Sequence, residues 1–254
     1  MTGQFDLTGH VSVVTGGNAG LGLGMARGLA RAGASIAVWG RNEGRNAAAV
    51  AEMRELGVEA EGFACDVTNP AAVDAAMEAT VARFGKVDSL FANAGGSGAR
   101  KPFVEMTPAD WDAVQRLNVD SVVSSFRAAA RQFMAQGSGG KLVVTSSIAA
   151  LLGLPGGPYS TSKAAVSGMV RALAVELAPA GIRVNAILPG FIETEMSLNT
   201  PKAFRDACLR RTPSGKLGTI DDMGGIAVFL ASRASDLVTG QSIVIDGGQS
   251  IYPF

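Results

Sequence analysis

Short apolar runs rich in β-branched residues alternate along this chain with segments of helical periodicity. The runs cover residues 11–15, 35–39, 58–65, 87–91, 141–145, 182–188 and 242–245. Such runs, separated by amphipathic helices, predict an α/β fold in which a parallel sheet is covered by helices on both faces. A ligand is then expected at the carboxyl ends of the strands. Because no internal repeat or linker interrupts the pattern, we expect residues 1–254 to form a single domain.

A glycine-rich turn follows the first run and leads into a helical pattern. Gly16, Gly20 and Gly22 lie in this turn, and the helical pattern ends at Gly33. Strand, glycine turn and helix in this order indicate a dinucleotide-binding site. Glycines let the backbone approach a pyrophosphate, and the helix N-terminus offers unpaired N–H groups. An ordinary turn between a strand and a helix is the alternative for this motif alone.

A tyrosine and a lysine four positions apart, Tyr159 and Lys163, form the second informative motif. If Pro158 opens a helix, both side chains lie on one helical face. An ammonium beside a phenol lowers the pKa of the phenol from about 10 toward the working range, which makes it a usable proton donor and acceptor. An exposed surface pair is the alternative for this motif alone.

The single histidine and the two cysteines exclude several kinds of site. His10 precedes the first apolar run, where a turn or strand-edge role is expected. A Ser-His-acid hydrolase or a histidine-ligated metal centre would need a histidine in the site and, for the metal, further ligands. Cys65 and Cys208 are far apart and lack a metal-ligand spacing. We therefore predict no metal site and no disulfide framework.

The charge balance gives no electrostatic basis for binding nucleic acid or an anionic membrane. The chain carries 22 Lys and Arg residues and 22 Asp and Glu residues. No run approaches ~18 uninterrupted apolar residues, which argues against a membrane span. The N-terminal residues lack the pattern of a secretory signal. We expect a cytoplasmic protein with a small-molecule partner.

The glycine pattern and the Tyr159-x-x-x-Lys163 motif together resemble those of the classical short-chain dehydrogenase/reductase family, and further matches recur over nearly the whole chain. The resemblance implies a Rossmann-type doubly wound parallel sheet of about seven strands and a homotetramer. It also implies hydride transfer between nicotinamide C4 and a carbonyl carbon. Tyr159 would then donate a proton to the developing alkoxide, and Lys163 would lower the pKa of Tyr159 and hold the nicotinamide ribose.

The same resemblance assigns a catalytic serine and a catalytic asparagine. Ser147 precedes the small apolar residues that follow the serine of the family, but it lies one residue closer to Tyr159 than is common. Ser146 has the common spacing. We choose Ser147 and attribute the missing residue to a shortened loop near Gly157. Asn118 matches the asparagine that distorts its helix and holds a water joined to the lysine, and a surface asparagine is the alternative.

Cofactor contacts are implied at positions that match the motifs of the family. Asp66 matches the residue that bonds the adenine amino group, with N-capping of a helix near Pro70 as the alternative. Ile192 and Thr194 match the residues that hold the nicotinamide carboxamide. The complete expected set is Gly16, Asn18, Gly20, Leu21, Gly22, Arg41, Asp66, Val67, Asn93, Ala94, Gly95, Tyr159, Lys163, Pro189, Gly190, Ile192 and Thr194.

The end of the second apolar run bears on the choice of cofactor. An acidic residue there would bond the adenosine ribose hydroxyls, whereas an arginine can pair with a 2′-phosphate. The chain has Gly40 and then Arg41 at this point. We therefore expect NADP(H), with NAD(H) as the alternative. Ala19 occupies a turn position where NADP-using members of the family often carry a second basic residue.

Residues 190–217 are expected to form a helical lid over the substrate. The candidate pocket residues are mostly apolar and favour a hydrophobic ketone or secondary alcohol, as for carbonyl and 3-oxoacyl reductases. They are Leu151, Leu152, Leu154, Pro155, Phe191, Met196 and Phe204. Basic residues that could meet an anion are Arg100, Lys101, Arg205 and Arg210.

Two other hypotheses remain beside the carbonyl reductase. The segment 18–25 also resembles gluconate and deoxygluconate dehydrogenases, so an NAD(H)-dependent sugar-acid dehydrogenase is the second hypothesis. A nucleotide-binding protein without catalysis is the third. The presence of Asn118, Ser147, Tyr159 and Lys163 together argues against the third, because a binder needs no proton donor.

Overall fold

The computed structural model describes residues 3–99, 101–153, 157–198 and 200–251. Its strands are β1 Val11–Thr15, β2 Ser35–Gly40, β3 Ala60–Ala64, β4 Ser89–Ala92, β5 Gly140–Thr145, β6 Ile182–Pro189, β7 Ile192–Glu193, β8 Gly218–Thr219 and β9 Ser242–Ile245. Seven of them form one parallel sheet in the order β3-β2-β1-β4-β5-β6-β9, while β7 and β8 form a separate pair. The predicted fold class is confirmed.

The helices alternate with the strands along the chain. They are α1 Gly20–Arg31, α2 Glu43–Glu55, α3 Pro70–Phe84, α4 Pro108–Gln115, α5 Ser121–Gln136, α6 Gly157–Leu177, α7 Glu195–Leu198, α8 Lys202–Arg210 and α9 Asp222–Ala231. In the described part of the chain, no helix is long and apolar enough to cross a membrane.

Alternate side chains of each strand point to opposite faces of the sheet, and this builds two hydrophobic cores. On β1, Val13 belongs to one core and Val14 to the other, and both are fully buried. The core of Val14 includes residues of α1, α2 and α9, among them Met25, Met53 and Leu230. The core of Val13 includes residues of α3, α5 and α6, among them Val73, Phe126 and Val170. Helices therefore cover both faces.

The strand order reverses at β1, which has β2 on one side and β4 on the other. In open sheets of this kind, the crevice at the carboxyl ends of the two diverging strands is where ligands bind. The Thr15 hydroxyl at the end of β1 accepts hydrogen bonds from the N–H groups of Asn93 and Ala94, both at 3.0 Å. This hydroxyl fixes the loop after β4 beside the loop after β1.

The long helical segment that begins at Pro108 and ends at Gln136 is interrupted. A five-residue π-helical turn, Arg116–Asp120, separates α4 from α5. Asn118 lies in this turn and is 1 % exposed, so the surface alternative for Asn118 is wrong. A π-helical turn is a frequent feature of functional sites.

The alternative role of Asp66 is also wrong. The N-cap of α3 is Asn69, whose side chain accepts hydrogen bonds from the N–H groups of Ala71 and Ala72. The Asp66 carboxylate instead accepts from the N–H and hydroxyl of Thr68, at 3.0 and 2.8 Å. Asp66 thus forms its own turn at the end of β3.

Candidate active site

The glycine turn after β1 is shaped for close approach of a ligand to the backbone. Gly20 has a φ of 52°, which is in the left-handed region that favours glycine. A Cβ at Gly22 would overlap the carbonyl oxygen of Gly16. Ala19 is the N-cap of α1 and supplies no side-chain hydrogen bond in the described structure. The N–H groups and positive dipole end of α1 are therefore available to an anion such as a pyrophosphate.

The predicted Asn93-Ala94-Gly95 element lies directly beside this turn. The Asn93 side-chain nitrogen donates to the carbonyl oxygen of Thr15 at 3.2 Å, and its oxygen accepts from the Thr145 hydroxyl at 3.2 Å. Asn93 thereby joins the ends of β1, β4 and β5. A Cβ at Gly95 would lie 3.4 Å from Lys163 Nζ, so the element also borders the lysine.

Tyr159 and Lys163 lie on α6, with Pro158 in its first turn as predicted. Lys163 Nζ is 5.7 Å from the centroid of the Tyr159 ring. Lys163 is 5 % exposed, and its Nζ donates to the carbonyl oxygen of Thr145 at 2.7 Å. Burial lowers the pKa of Lys163 to about 8. The ammonium is therefore charged at neutral pH but readily titrated in mild base.

The expected lowering of the Tyr159 pKa is not what the structure has. Burial raises the pKa of Tyr159, and a hydrogen bond with Ser147 offsets this only in part. The reason is that a half-buried phenol loses hydration of its charged form, while the lysine ammonium lies over the ring and bonds the Thr145 carbonyl. Tyr159 is consequently protonated at neutral pH, which suits a proton donor.

The two candidate serines have different surroundings. The Ser146 hydroxyl donates to the carbonyl oxygen of Lys163 at 2.8 Å and bonds the Ser167 hydroxyl at 3.0 Å, so it is turned into the packing of α6. The Ser147 hydroxyl accepts from the N–H of Ala149 at 3.1 Å and lies beside the Tyr159 phenol, whose pKa it lowers. The structure brings Ser147, and not Ser146, to the phenol.

Asn118 connects three segments of the site. Its side-chain oxygen accepts from the N–H of Gly96, and its nitrogen donates to the carbonyl oxygen of Gly96, both at 2.9 Å. The same nitrogen donates to the Ser162 hydroxyl on α6 at 3.0 Å. The π-helical turn, the loop after β4 and the helix that carries Tyr159 are thus held together by one buried amide.

The expected adenosine end of the crevice lies at the carboxyl ends of β2 and β3. Arg41 is exposed there. The pKa of Asp66 is lowered, mainly because Thr68 donates hydrogen bonds to its carboxylate and to a smaller extent because of the Arg41 charge. Arg45 of α2 forms an ion pair with Glu195 of α7 at 3.1 Å. Sequence reasoning did not identify Arg45 or Glu195 as part of this region.

The expected nicotinamide end is formed by the chain that follows β6. Ile192 is 8 % exposed in β7, and Thr194 follows it. A Cβ on Gly20 would lie 3.7 Å from Thr194 Cγ2, so Thr194 lies close to the glycine turn. The other predicted cofactor residues lie at the carboxyl ends of β1, β3 and β6 or in the first turn of α1; they are Asn18, Leu21, Val67, Pro189 and Gly190.

Two aromatic rings lie near each other on the expected substrate side. The rings of Phe191 and Phe204, the latter on α8, are 6.1 Å apart. Leu152 is half-buried and Leu151 is exposed. Leu154, Pro155 and Arg100 lie outside the described residues, and so does the side chain of Met196.

Two of the candidate anion-binding residues already have carboxylate partners. Lys101 pairs with Asp110 at 2.8 Å, and Arg205 pairs with Glu193 at 3.0 Å. Both pairs are solvent-accessible, so neither contributes much to stability.

These features fit a nicotinamide dinucleotide. The glycine turn and the uncapped α1 suit its pyrophosphate, and the carboxyl ends of β2 and β3 offer Arg41 and Asp66 to its adenosine. Tyr159 and Lys163 lie across the switch point from Arg41, which is the direction in which an extended dinucleotide runs.

Comparison with known proteins agrees with this site. The family model described as enoyl-(acyl carrier protein) reductase matches residues 16–250. The chain is 40% identical over 250 residues to 2-dehydro-3-deoxy-D-gluconate 5-dehydrogenase of Escherichia coli (strain K12), covering 96% of each chain. It is 36% identical to gluconate 5-dehydrogenase of Gluconobacter oxydans (strain 621H), covering 97% of each.

A solved structure gives the same result. The crystal structure of a gluconate 5-dehydrogenase from Burkholderia cenocepacia J2315 in complex with NADP and tartrate superposes with a TM-score of 0.92 at 39% identity, covering 98% of each chain. The chain therefore belongs to the short-chain dehydrogenase/reductase family. It is an NAD(P)-dependent oxidoreductase that acts on CH–OH groups.

Proposed function

We propose that this enzyme interconverts a ketone and a secondary alcohol with NADP(H), and that Tyr159 is its proton donor. The observation that carries the proposal is the grouping of Ser147, Tyr159 and Lys163 at the carboxyl end of β5, beside the glycine turn and the loop after β4. A hydroxyl, a protonated phenol and a buried ammonium that lie close together can act as a proton-donating group.

The roles of the residues follow from their environments. When bound, the cofactor supplies or accepts the hydride at nicotinamide C4. Tyr159 gives its phenol proton to the carbonyl oxygen of the substrate, and Ser147 orients that oxygen through its own hydroxyl. Lys163, charged below about pH 8, stabilises the phenolate that Tyr159 becomes when it has lost its proton. Asn118 holds the loop after β4 and α6 in place through its bonds to Gly96 and Ser162.

The preference for NADP(H) is supported by the end of β2. Gly40 stands where an acid would bond the ribose hydroxyls, and Arg41 is exposed next to it. An exposed guanidinium can pair with a 2′-phosphate through two hydrogen bonds. The solved gluconate 5-dehydrogenase with NADP lends further support.

For the substrate, we propose a hydroxy acid of the gluconate type. The support is a sequence identity of 36–40% to gluconate-type dehydrogenases over nearly the whole chain. The lid residue Arg205 carries a weak, accessible ion pair that a substrate carboxylate can replace. The second candidate is an apolar ketone, which the Phe191–Phe204 pair favours.

Variants of the proton-donating group test the proposed chemistry. Tyr159→Phe keeps the ring, and we expect kcat to fall by about 10²-fold or more because the proton donor is lost. Ser147→Ala is expected to lower kcat as well. Ser146→Ala is its matched control, since the Ser146 hydroxyl bonds α6 and should affect stability rather than turnover. Full turnover in Tyr159→Phe would contradict the assignment.

A substrate panel tests the proposed substrate class. Gluconate and 5-ketogluconate are assayed with NADP(H) and NAD(H), beside a cyclic ketone and a 3-oxoacyl thioester. Turnover of the sugar acid with the highest kcat/KM supports the first candidate, and turnover of the ketone or thioester alone replaces it with the second.

A homotetramer is expected for a member of this family, and a monomeric mass by light scattering would contradict that expectation.

A further inference from the structure

One buried amide, that of Asn46, joins four parts of the adenosine end. Asn46 lies on α2 and is 3 % exposed. Its side-chain nitrogen donates to the carbonyl oxygens of Gly40 on β2 and Phe63 on β3, at 2.8 and 3.2 Å. Its oxygen accepts from the side-chain nitrogen of Asn18 in the glycine turn at 2.6 Å. Both N–H groups of this amide and one of the two acceptor positions of its oxygen are therefore used inside the protein.

The contact between Asn18 and Asn46 occupies the space that a side chain at position 40 would need. A Cβ at Gly40 would overlap Asn18 Nδ2 and would lie 2.6 Å from Asn46 Oδ1. The φ of Gly40 is not in the left-handed region. It is thus the close approach of the two amides, and not the backbone conformation, that requires glycine here.

Asn46 cannot retreat to make room. A Cβ at Gly62 on β3 would lie 3.0 Å from the Cβ of Asn46, so the asparagine is already packed tightly against the strand behind it. In addition, a carboxylate at position 40 would meet the Asn18 nitrogen, which already donates to Asn46, and the Asn46 oxygen, which is an acceptor and offers no proton to it.

We propose that Asn46 is a specificity-determining positioning residue. It holds Asn18 and Gly40 at a separation that excludes a ribose-binding acid and leaves the 2′-position of the adenosine to Arg41. The inference rests on the NADP(H) preference proposed above. Asn46 itself acts through the two residues that it bonds, Asn18 in the glycine turn and Gly40 at the end of β2.

A double-mutant cycle tests the coupling between positions 40 and 46. The variants are Gly40→Asp, Asn46→Ala and the double variant, each titrated with NADPH and NADH by nicotinamide fluorescence. We expect Gly40→Asp alone to weaken NADPH without improving NADH. In the double variant the aspartate has room to reach the ribose, and we expect NADH affinity about tenfold or more above that of Gly40→Asp, a coupling of the size found for residues in contact.

Controls separate this effect from loss of folding. Gly40→Ala adds only the Cβ, so it should lower thermal stability and NADPH affinity, and Asn46→Ala should partly restore both. Gly44→Ala is the matched control on the same segment, because a Cβ there meets only Asn42 Oδ1, at 3.5 Å. It should leave both affinities unchanged.

The outcomes are distinguishable. Additive effects of the substitutions at positions 40 and 46, or a gain of NADH affinity in Gly40→Asp equal to that of the double variant, would overturn this inference. A preference of the unmodified enzyme for NADH would instead overturn the proposed cofactor, whatever the coupling measured between the two positions.

Discussion

Replacing Lys163 by methionine should change how the stability of the enzyme depends on pH. Methionine keeps an unbranched stem of similar size and removes the amine. Two effects on stability oppose each other at pH 7. The variant no longer buries an ammonium, but it leaves the Thr145 carbonyl without the bond that Nζ donates at 2.7 Å, which costs about 1–3 kcal/mol.

The size of the first effect follows from the pKa of Lys163. Burial lowers this pKa from 10.5 to about 8. Below pH 8 the amine is protonated in both the folded and unfolded states, and folding must bury the charge. Between pH 8 and 10.5 the unfolded chain binds more protons than the folded protein, so stability rises with pH. At 1.36 kcal/mol per pH unit the full effect is about 3 kcal/mol, of which about 2 kcal/mol falls between pH 7 and pH 9.5.

Urea unfolding of both proteins at pH 7 and pH 9.5 provides the measurement. Other groups also titrate in this range, including Cys65, whose pKa burial raises to about 11. Their effects cancel when the change in Lys163→Met is subtracted from that of the unmodified enzyme at equal protein concentration. We expect a remaining rise in stability of about 2 kcal/mol. An identical pH dependence of the two proteins would refute the argument that the buried amine has a lowered pKa.

Three further substitutions test other parts of the structure. Gly28→Ala should destabilise the fold by about 1–3 kcal/mol in thermal unfolding, because its Cβ would overlap Gly224 where α1 meets α9. Gly225→Ala, whose Cβ meets no atom within 4 Å, should not destabilise it and serves as the control. Asn69→Ala should cost about 1 kcal/mol through loss of the α3 cap and leave kcat unchanged, and a loss of activity would contradict a purely capping role. Asn118→Ala should cost about 2 kcal/mol and lower kcat, because both backbone groups of Gly96 lose their partner; unchanged urea unfolding would show that these bonds contribute little.

The strands and the glycine turn were predictable because each depends on local chemistry. β-Branched runs predict buried strands, and Pro158 predicts the start of the helix that presents Tyr159 and Lys163. The surroundings of the serines were not predictable from spacing. Ser146 and Ser147 are adjacent in the chain, and only the direction of the strand end decides which hydroxyl reaches the phenol.

Burial and contacts between distant segments account for the rest. The sequence places a lysine near Tyr159 but does not show that the phenol is desolvated, and desolvation dominates its pKa. Asn46 looks like an ordinary residue of an alanine-rich helix. The sequence indicates the close packing of Asn46 only through Gly40 and Gly62, because a glycine inside a strand often marks a place where another group approaches closely.

The π-helical turn at 116–120 has a consequence for the allowed length of the chain. Such a turn is an α-helix that holds one residue more than its hydrogen-bond pattern needs. Deleting one residue there would restore a regular α-helix, and the widened turn that carries Asn118 would be lost. The Asn118 amide would then point away from Gly96 and Ser162. The segment should accept substitutions at its exposed positions, whereas the insertion or deletion of a single residue should disable the enzyme.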